Sequence, residues 1–316
     1  MAISEMIPTV SICLPTYCQT EFLRKTLDSI VAQEFQDYEL IVSDDSPDNS
    51  VERLLQEYDF SDKLIYSKNV IALGSPANWN QAIELSKGRL IKIMHHDDWF
   101  SSPTSLGEFV SLINANPQAG FAFSGVNTKS PNARKYLHQF ASRREVDVLQ
   151  LDRMPLMLRN CIGPPSSTIV KRECFKAYRE NLQWLVDVYQ YSEILEQTSF
   201  AYTPKALIYS TTDAEHQITN TCQQNPGLLL YEYLCFFNNF EKLSPTKNTA
   251  YLNYLIELVL KYGINNEREI RNIGFDGAIH PHLIKVMNFS NAQKQLKLLE
   301  LKIRRKINEA SLSSSR

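Results

Sequence analysis

Thr9-Val10-Ser11-Ile12-Cys13-Leu14, followed at once by Pro15-Thr16-Tyr17, decides the fold. Val10, Ile12 and Leu14 alternate with smaller residues, the period-2 pattern of a strand. Outward from this run the pattern switches between two periods. Residues 21–34 read as a helix: Leu23, Leu27, Ile30 and Val31 fall at helical spacing, and Glu21 sits at the positive end of the dipole. Residues 38–43 read as a second strand, 49–58 as a helix and 63–66 as a third strand. Ser75 is placed as an N-cap with Pro76 at the first helical position, opening a helix to residue 87 that Gly88 closes. A fourth strand over 89–94, a helix over 103–116 and a fifth strand over 120–124 follow. Strand–helix–strand alternation of this length predicts an α/β fold with a mostly parallel sheet and helices on both faces. In such sheets ligands bind outside the carboxyl ends of the strands.

Residues 126–225 are less regular. A helix is expected over 151–159, then a turn at Gly163-Pro164-Pro165-Ser166-Ser167, a strand over 168–170, a helix over 184–196, and a pair of strands over 200–203 and 206–210. From residue 226 the pattern is helical throughout. These shifts divide the chain into residues 1–225, with halves 1–125 and 126–225, and a helical region 226–316.

The bulk properties exclude several classes. With 316 residues, 43% of them apolar and 22% charged, the chain holds enough apolar surface for a packed core, so wholesale disorder is excluded. A net charge of −2 gives no overall field for nucleic acid, and none is expected as a partner. The six cysteines include no Cys-x-x-Cys pair, which argues against a zinc finger or disulfide scaffold and suits a reducing compartment. Residues 1–8 contain an acid and no basic residue, unlike a signal peptide, and no run approaches ~18 uninterrupted apolar residues. A cytoplasmic location is expected.

The acids fall at the strand ends. Ser43-Asp44-Asp45-Ser46-Pro47-Asp48 closes the second strand, and Met94-His95-His96-Asp97-Asp98-Trp99 closes the fourth. Asp48 also suits a cap for the helix that follows. With Pro15-Thr16-Tyr17 at the end of the first strand, one crevice gathers an aromatic ring and four carboxylates. Four such acids repel unless something compensates them. A divalent Mn²⁺ or Mg²⁺ carrying a diphosphate does so, since these ions take carboxylate oxygens and keep positions for phosphate oxygens. A carboxylate also accepts the imide N–H of uracil, and a tyrosine face stacks on a base for about 1–3 kcal/mol.

Taken in order, these pieces resemble glycosyltransferase family 2, the nucleotide-sugar transferases of GT-A fold. The likeness runs through Val10 to Tyr17, Leu27-Asp28-Ser29-Ile30-Val31-Ala32-Gln33, Tyr38 to Ser46, Asn78-Trp79-Asn80-Gln81-Ala82-Ile83, Ser86-Lys87-Gly88 and Asp97-Asp98. It covers about the first 125 residues well and runs loosely to about 215. The resemblance implies a donor-binding set of Pro15, Thr16, Tyr17, Asp44, Asp45, Asn78 and Asp97. In that set Tyr17 stacks on the base, Asp45 binds its imide, and Asp97 lies near the ribose or donor sugar. It implies Asp98 as a ligand of Mn²⁺ or Mg²⁺, with His216 as a further metal or phosphate contact. Asp187, in Trp184-Leu185-Val186-Asp187-Val188-Tyr189, matches the segment carrying the general base, with Glu193 and Asp213 as competitors. The 163–167 turn resembles the acceptor-side loop.

The activity so implied is metal-dependent transfer of a sugar from a nucleotide diphosphate, UDP by preference, to a hydroxyl of a glycan or lipid-linked acceptor, with inversion. Two departures stand out. Ser46-Pro47 follows the first acid pair where the family often has glycine, and His95-His96 precede the second pair where small or apolar residues are usual. They favour, as an alternative, a non-catalytic nucleotide-sugar-binding subunit. A third reading, a dinucleotide-binding dehydrogenase, is disfavoured by Pro15-Thr16-Tyr17-Cys18 in place of Gly-x-Gly-x-x-Gly. Near the C-terminus, Leu296, Leu299, Ile303 and Ile307 share a face beside Lys294, Lys297, Lys302, Arg304, Arg305 and Lys306. That pattern suits either a docked helix with a solvated basic face or peripheral contact with an anionic membrane.

Overall fold

The computed structural model of the chain describes residues 7–130, 133–212, 222, 224–244 and 249–313, with 305–313 by backbone alone. It divides into two compact units: Met1–Leu151 with Asn160–Ile218, and Asp152–Arg159 with Thr219–Arg316.

The first unit is built on one sheet. β1 (Val10–Thr16) lies between β2 (Tyr38–Asp44) and β4 (Leu90–Ile93), parallel to both, and β3 (Leu64–Lys68) extends the parallel set beyond β2. The right-hand part is mixed. β8 (Thr168–Lys171) runs antiparallel to β4 and to β6 (Ala119–Lys129), β6 pairs parallel with β9 (Ser199–Thr211), and short β5 (Asp98–Phe100) runs antiparallel to β9. β7 (Leu137–Gln139) pairs with β6. β5 begins only five residues after β4 ends, although three strands separate them in the order β4-β8-β6-β9-β5. Four strand spacings laid flat span roughly 19 Å, beyond the ~16–18 Å reach of so short a linker, so the sheet curls and brings the far strand back toward β4.

β1 and β2 are buried on both faces, as parallel strands covered by helices must be. The core joins Val10, Ile12 and Leu14 with Leu23, Leu27 and Ile30 of α1 (Thr20–Val31) and Phe109 and Ile113 of α4 (Ser105–Asn114). Asp48 accepts from Ser50 N at 3.0 Å ahead of α2 (Ser50–Leu55), but the cap position expected of it falls on Asn49.

Three local expectations are corrected. The helix after Ser75 is α3 (Ala77–Glu84); Pro76 holds the cap position without a side-chain bond, and the helix ends before Gly88. Gly88 serves another purpose: a β-carbon there would stand 2.6 Å from Ser11 N. The helix expected over 151–159 is instead α5 (Arg143–Leu151), followed by a 3₁₀ turn at Met154–Met157. The signal missed is a capping box, in which Ser142 N donates to Glu145 Oε2 at 2.8 Å and Glu145 N to Ser142 Oγ at 3.3 Å, while Pro155 denies an α-helix its donor. The expected strand pair over 200–210 is one strand, because both halves pair with β6. Thr203 faces Ser124 and Ala206 faces Gly125, so Pro204 and Lys205 bulge out of the ladder, a position that tolerates proline.

In the second unit, α7 (Pro226–Phe240), α8 (Thr249–Lys261), α9 (Glu267–Asn272), α10 (Pro281–Met287) and α11 (Asn291–Ser313) form a helical assembly. Buried side chains include Leu230 and Phe236 of α7, Leu255 and Val259 of α8 and Leu283 of α10. α11 packs on α8, with Leu301 buried while Leu296, Leu299 and Ile303 are exposed. These three residues of the face marked for docking or membrane contact are thus open to solvent; the side chain of Ile307 lies outside the described residues. No helix among the described residues is long and apolar enough to cross a membrane.

Candidate active site

The carboxyl ends of β2, β1 and β4 meet at one edge of the sheet. Thr16 stands opposite Asp44, and Asp45 N donates to Thr16 O at 3.0 Å. On the other side of β1, Met94 N donates to Cys13 O at 2.9 Å. The two acid pairs therefore leave the sheet on either flank of β1, with starting points two strand spacings apart, about 10 Å. Tyr17 leaves between them with 55% of its surface exposed. Cys18 and Gln19 behind it both adopt left-handed backbone, φ 54° and 48°, which turns the chain out of the sheet directly at the ring.

The first acid pair is heavily bonded. Asp44 is sealed from solvent and accepts from Tyr66 Oη at 3.0 Å, Lys68 Nζ at 2.9 Å, Thr16 Oγ1 at 3.2 Å and Ser46 N at 2.9 Å. It ties three strand ends together, and burial plus this bond lifts the Tyr66 phenol above its ordinary value. Asp45 accepts from Leu73 N at 3.0 Å, Gly74 N at 2.8 Å and Asn69 Nδ2 at 2.8 Å. Asn78 spans the same ends: its amide donates to Ser43 O at 3.1 Å and Thr16 O at 3.3 Å, and accepts from Asn69 at 3.2 Å. Ser46, where the resemblance leads one to expect glycine, accepts from Cys18 N at 2.7 Å. The hydroxyl thus fastens the end of β2 to the Tyr17 turn.

The second pair lies where the sheet curls. One ring nitrogen of His95 and one carboxylate oxygen from each of Asp97 and Asp98 lie within 4.8 Å of one another. Asp98 is 2% exposed, and burial first, then the Asp97 charge, lift its carboxyl above the usual range; Ser166 and Ser210 bond it and oppose the lift, as does the Lys92 charge. Thr26 of α1 donates to Asp98 O at 2.7 Å, and Thr211 to Asp97 O at 3.2 Å. Beneath them Lys92 of β4 is completely buried. It donates to Ser166 O and to Ile93 O and lies over the Phe109 ring at 4.8 Å; burial lowers its ammonium to about 7 against the pull of Asp98. Burial lowers His95 to about 4, its ring lies 4.6 Å from Trp79, and its Nε2 is buried with no hydrogen-bond partner among the described residues. Two buried carboxylates side by side with a histidine ring nitrogen within 4.8 Å are a donor set a divalent cation can use, so the residues present fit one.

Asp187 opens α6 (Val186–Leu195). Its Oδ2 accepts from Asn160 Nδ2 at 2.9 Å and its Oδ1 from Val188 N at 2.8 Å. Asn160 also donates to Gly163 O at 3.0 Å, and Tyr191 donates to the same carbonyl at 3.1 Å. Burial holds the Tyr191 phenol well above its ordinary value, and the charges of Asp187 and, more weakly, Asp98 add to the effect. One buried ring thus senses both carboxylates. Glu193 is engaged by Arg179 at 2.6 Å. Asp213 and His216 lie outside the described residues.

Sequence reasoning did not find Lys92, Ser166, Ser210 or Asn160. Lys92 is the one that carried a signal, a charge inside the apolar strand Leu90-Ile91-Lys92-Ile93. Trp79 packs between His95 and Tyr178, consistent with a core role.

The sequence model of the glycosyl transferase family 2 matches residues 11–179, more than half of the chain. The chain belongs to that family. This family 2 glycosyltransferase is 32% identical over 122 residues to an uncharacterized glycosyltransferase of Methanocaldococcus jannaschii, covering 38% of this chain and 42% of that one. The chain therefore spans less than half the length of that relative. Among solved structures, residues 1–349 of S. aureus TarS in complex with UDP-GlcNAc superpose with a TM-score of 0.58 at 14% identity, covering 95% and 92% of the two chains. The mannosyltransferase PcManGT from Pyrobaculum calidifontis, in complex with GDP-Man and Mn²⁺, gives 0.55 at 14% identity, covering 95% and 87%. These likenesses establish the GT-A fold.

Proposed function

We propose that this glycosyltransferase uses a divalent cation and a nucleotide-diphosphate sugar, UDP-linked by preference, and transfers the sugar with inversion to a hydroxyl of a glycan or lipid-linked glycan. The observation that carries the proposal is the convergence of an exposed Tyr17, the Asp45 carboxylate and the His95–Asp97–Asp98 cluster at one sheet edge.

In this reading Tyr17 stacks on the base, its ring presented by the left-handed turn behind it. Asp45 reads the base imide, exchanging bonds now made to the 69–74 segment. Asp44 and Asn78 keep the strand ends in register, and Pro15 and Thr16 shape the floor. Asp98, with Asp97 toward the ribose or sugar, would hold Mn²⁺ or Mg²⁺, which supplies Lewis-acid stabilisation of the leaving diphosphate. Asp187 takes the proton of the acceptor hydroxyl as that oxygen bonds the anomeric carbon, and the diphosphate departs with the electron pair of the broken C–O bond. Asn160 holds the carboxylate for this task. Approach from the face opposite the leaving group inverts the centre. Such general-base assistance is worth ~10²–10⁴ in rate.

Calorimetry with UDP, GDP and dTDP, each with and without Mn²⁺, tests the donor assignment. Mn²⁺-dependent binding of at least one, UDP tightest, is expected; failure of all three removes the proposal.

The open face of α11 supports peripheral contact with an anionic membrane, since Leu296, Leu299 and Ile303 are 67%, 55% and 50% exposed beside a basic flank. Liposome flotation of the chain with and without residues 291–316 tests this. Equal flotation of the two forms rejects it.

A further inference from the structure

We infer that His95 is itself a ligand of the cation, a nitrogen donor beside the two carboxylates, and that it biases the site toward a transition-metal ion such as Mn²⁺ over Mg²⁺. This rests on the cation site proposed above.

Three observations carry it. The ring nitrogen and the two carboxylate oxygens lie within 4.8 Å of one another. Donors sharing one ion, each about 2.1 Å from it, stand at most about 4.2 Å apart, so small side-chain adjustments close the set. Next, Nε2 is sealed from solvent and has no hydrogen-bond partner among the described residues. A buried polar atom left unbonded costs about 1–3 kcal/mol, and such atoms in native proteins call for a missing partner. Finally, the ring is placed before anything binds. Trp79 lies against it at 4.6 Å between centroids, and the His95 backbone N–H donates to Ser166 Oγ at 3.0 Å. Ser166 also bonds Asp98, so one hydroxyl positions both the histidine and the acid.

The selectivity follows from donor chemistry. Mg²⁺ prefers oxygen ligands and sheds water reluctantly, whereas imidazole suits transition ions. An imidazole in the ligand set strengthens Mn²⁺ binding and gives little to Mg²⁺.

The test uses the full chain with metal alone. Mn²⁺ and Mg²⁺ are titrated by calorimetry, and bound Mn²⁺ is examined by electron spin-echo modulation, which detects a directly coordinated ¹⁴N. The wild-type chain is expected to bind Mn²⁺ at least about tenfold more tightly than Mg²⁺, a difference of about 1.4 kcal/mol, and to show ¹⁴N modulation. His95→Gln should lose the modulation and most of the preference, while His96→Ala keeps both. Selective ¹⁵N-histidine labelling of the wild-type chain, which needs no variant, should alter the modulation. Mn²⁺ bound without nitrogen modulation, modulation indifferent to labelling, or modulation surviving in His95→Gln would each overturn the assignment to His95 and leave the cation site standing. Absence of Mn²⁺ binding by the wild-type chain, or unchanged binding by Asp98→Asn, would remove the cation site and His95 with it.

Discussion

Replacing Gly88 by alanine should damage stability while leaving ligand recognition intact. A β-carbon at position 88 would lie 2.6 Å from both Ser11 N and Ser11 Oγ and 2.8 Å from Val10 C. Ordinary contacts there need about 3.5 Å or more, so the segment before β4 must retreat from β1 by most of an ångström. Backbone is what it meets, so no rotamer change relieves the clash. Retreat also strains a polar knot. Gly88 N donates to Ser11 Oγ at 2.7 Å and to Glu39 Oε1 at 2.9 Å, Lys87 N donates to the same carboxylate oxygen at 2.5 Å, and Arg172 Nε donates to Gly88 O at 2.5 Å. Overpacking costs about 1–3 kcal/mol, and weakening one buried hydrogen bond to a charged group about 1.5–3 kcal/mol. The sum, roughly 2.5–6 kcal/mol, divided by an unfolding entropy of about 0.66 kcal/mol/K for a chain of this size, corresponds to a Tm lower by about 4–9 °C. Differential scanning calorimetry reads the shift. Below the transition, UDP affinity should match wild type, because Gly88 lies at the amino edge of β1 and β4, away from Tyr17 and the acids. A Tm within 2 °C of wild type would refute the close-approach argument. Recovery of the lost stability by adding Ser11→Ala would refute its backbone part, since Ser11 N remains in the way.

Asp187→Asn should lower turnover by ~10²–10⁴ with donor affinity unchanged; full turnover in this variant would transfer the base role elsewhere. Tyr17→Ala should weaken nucleotide binding by about 1–3 kcal/mol without moving the Tm, as over half of the side chain is already in solvent; unchanged affinity rejects stacking. Lys92 titrates near 7 when folded against 10.5 ordinarily. The unfolded chain therefore binds the extra proton between those values, and this group makes stability rise with pH across that window. Thermal melts at pH 7.5 and 9.5 should show a smaller rise for Lys92→Met than for wild type; equal slopes would mean that Lys92 is charged in its buried seat.

What could be read from the sequence followed the range of the interactions. β1, β2 and β4 and the acids at their ends were legible because Val10-Ile12-Leu14 and its counterparts are local patterns, and because a strand followed by a loop fixes which edge an acid occupies. β5 was not legible: three residues carry no periodicity, and Asp98-Trp99-Phe100 is a strand only because the sheet curls and β9 supplies a partner. The single strand at 199–211 looked like two because Pro204 interrupts its pattern, and only pairing with β6 reveals the continuity. In the site, Tyr17 and the Asp doublets announced themselves by residue type. Ser166 did not, since a serine in a Pro-Pro-Ser-Ser turn looks like any turn serine until its hydroxyl is found on Asp98. Ser46 was legible as a departure and not as a device; its bond to Cys18 N emerges only when two strand ends are adjacent.

The anchoring of Ser166 bears on any attempt to re-engineer the enzyme. Its carbonyl accepts from Lys92 and its hydroxyl meets both the His95 amide and Asp98. On the proposed function, the 163–167 turn that resembles the acceptor-side loop is therefore bolted to the residues proposed to hold the cation and donor. If those roles hold, grafting 163–167 from a homologue carries a hidden alteration to the chemistry, and directed evolution of this region should favour paired changes at 92, 95 or 98 over isolated loop swaps.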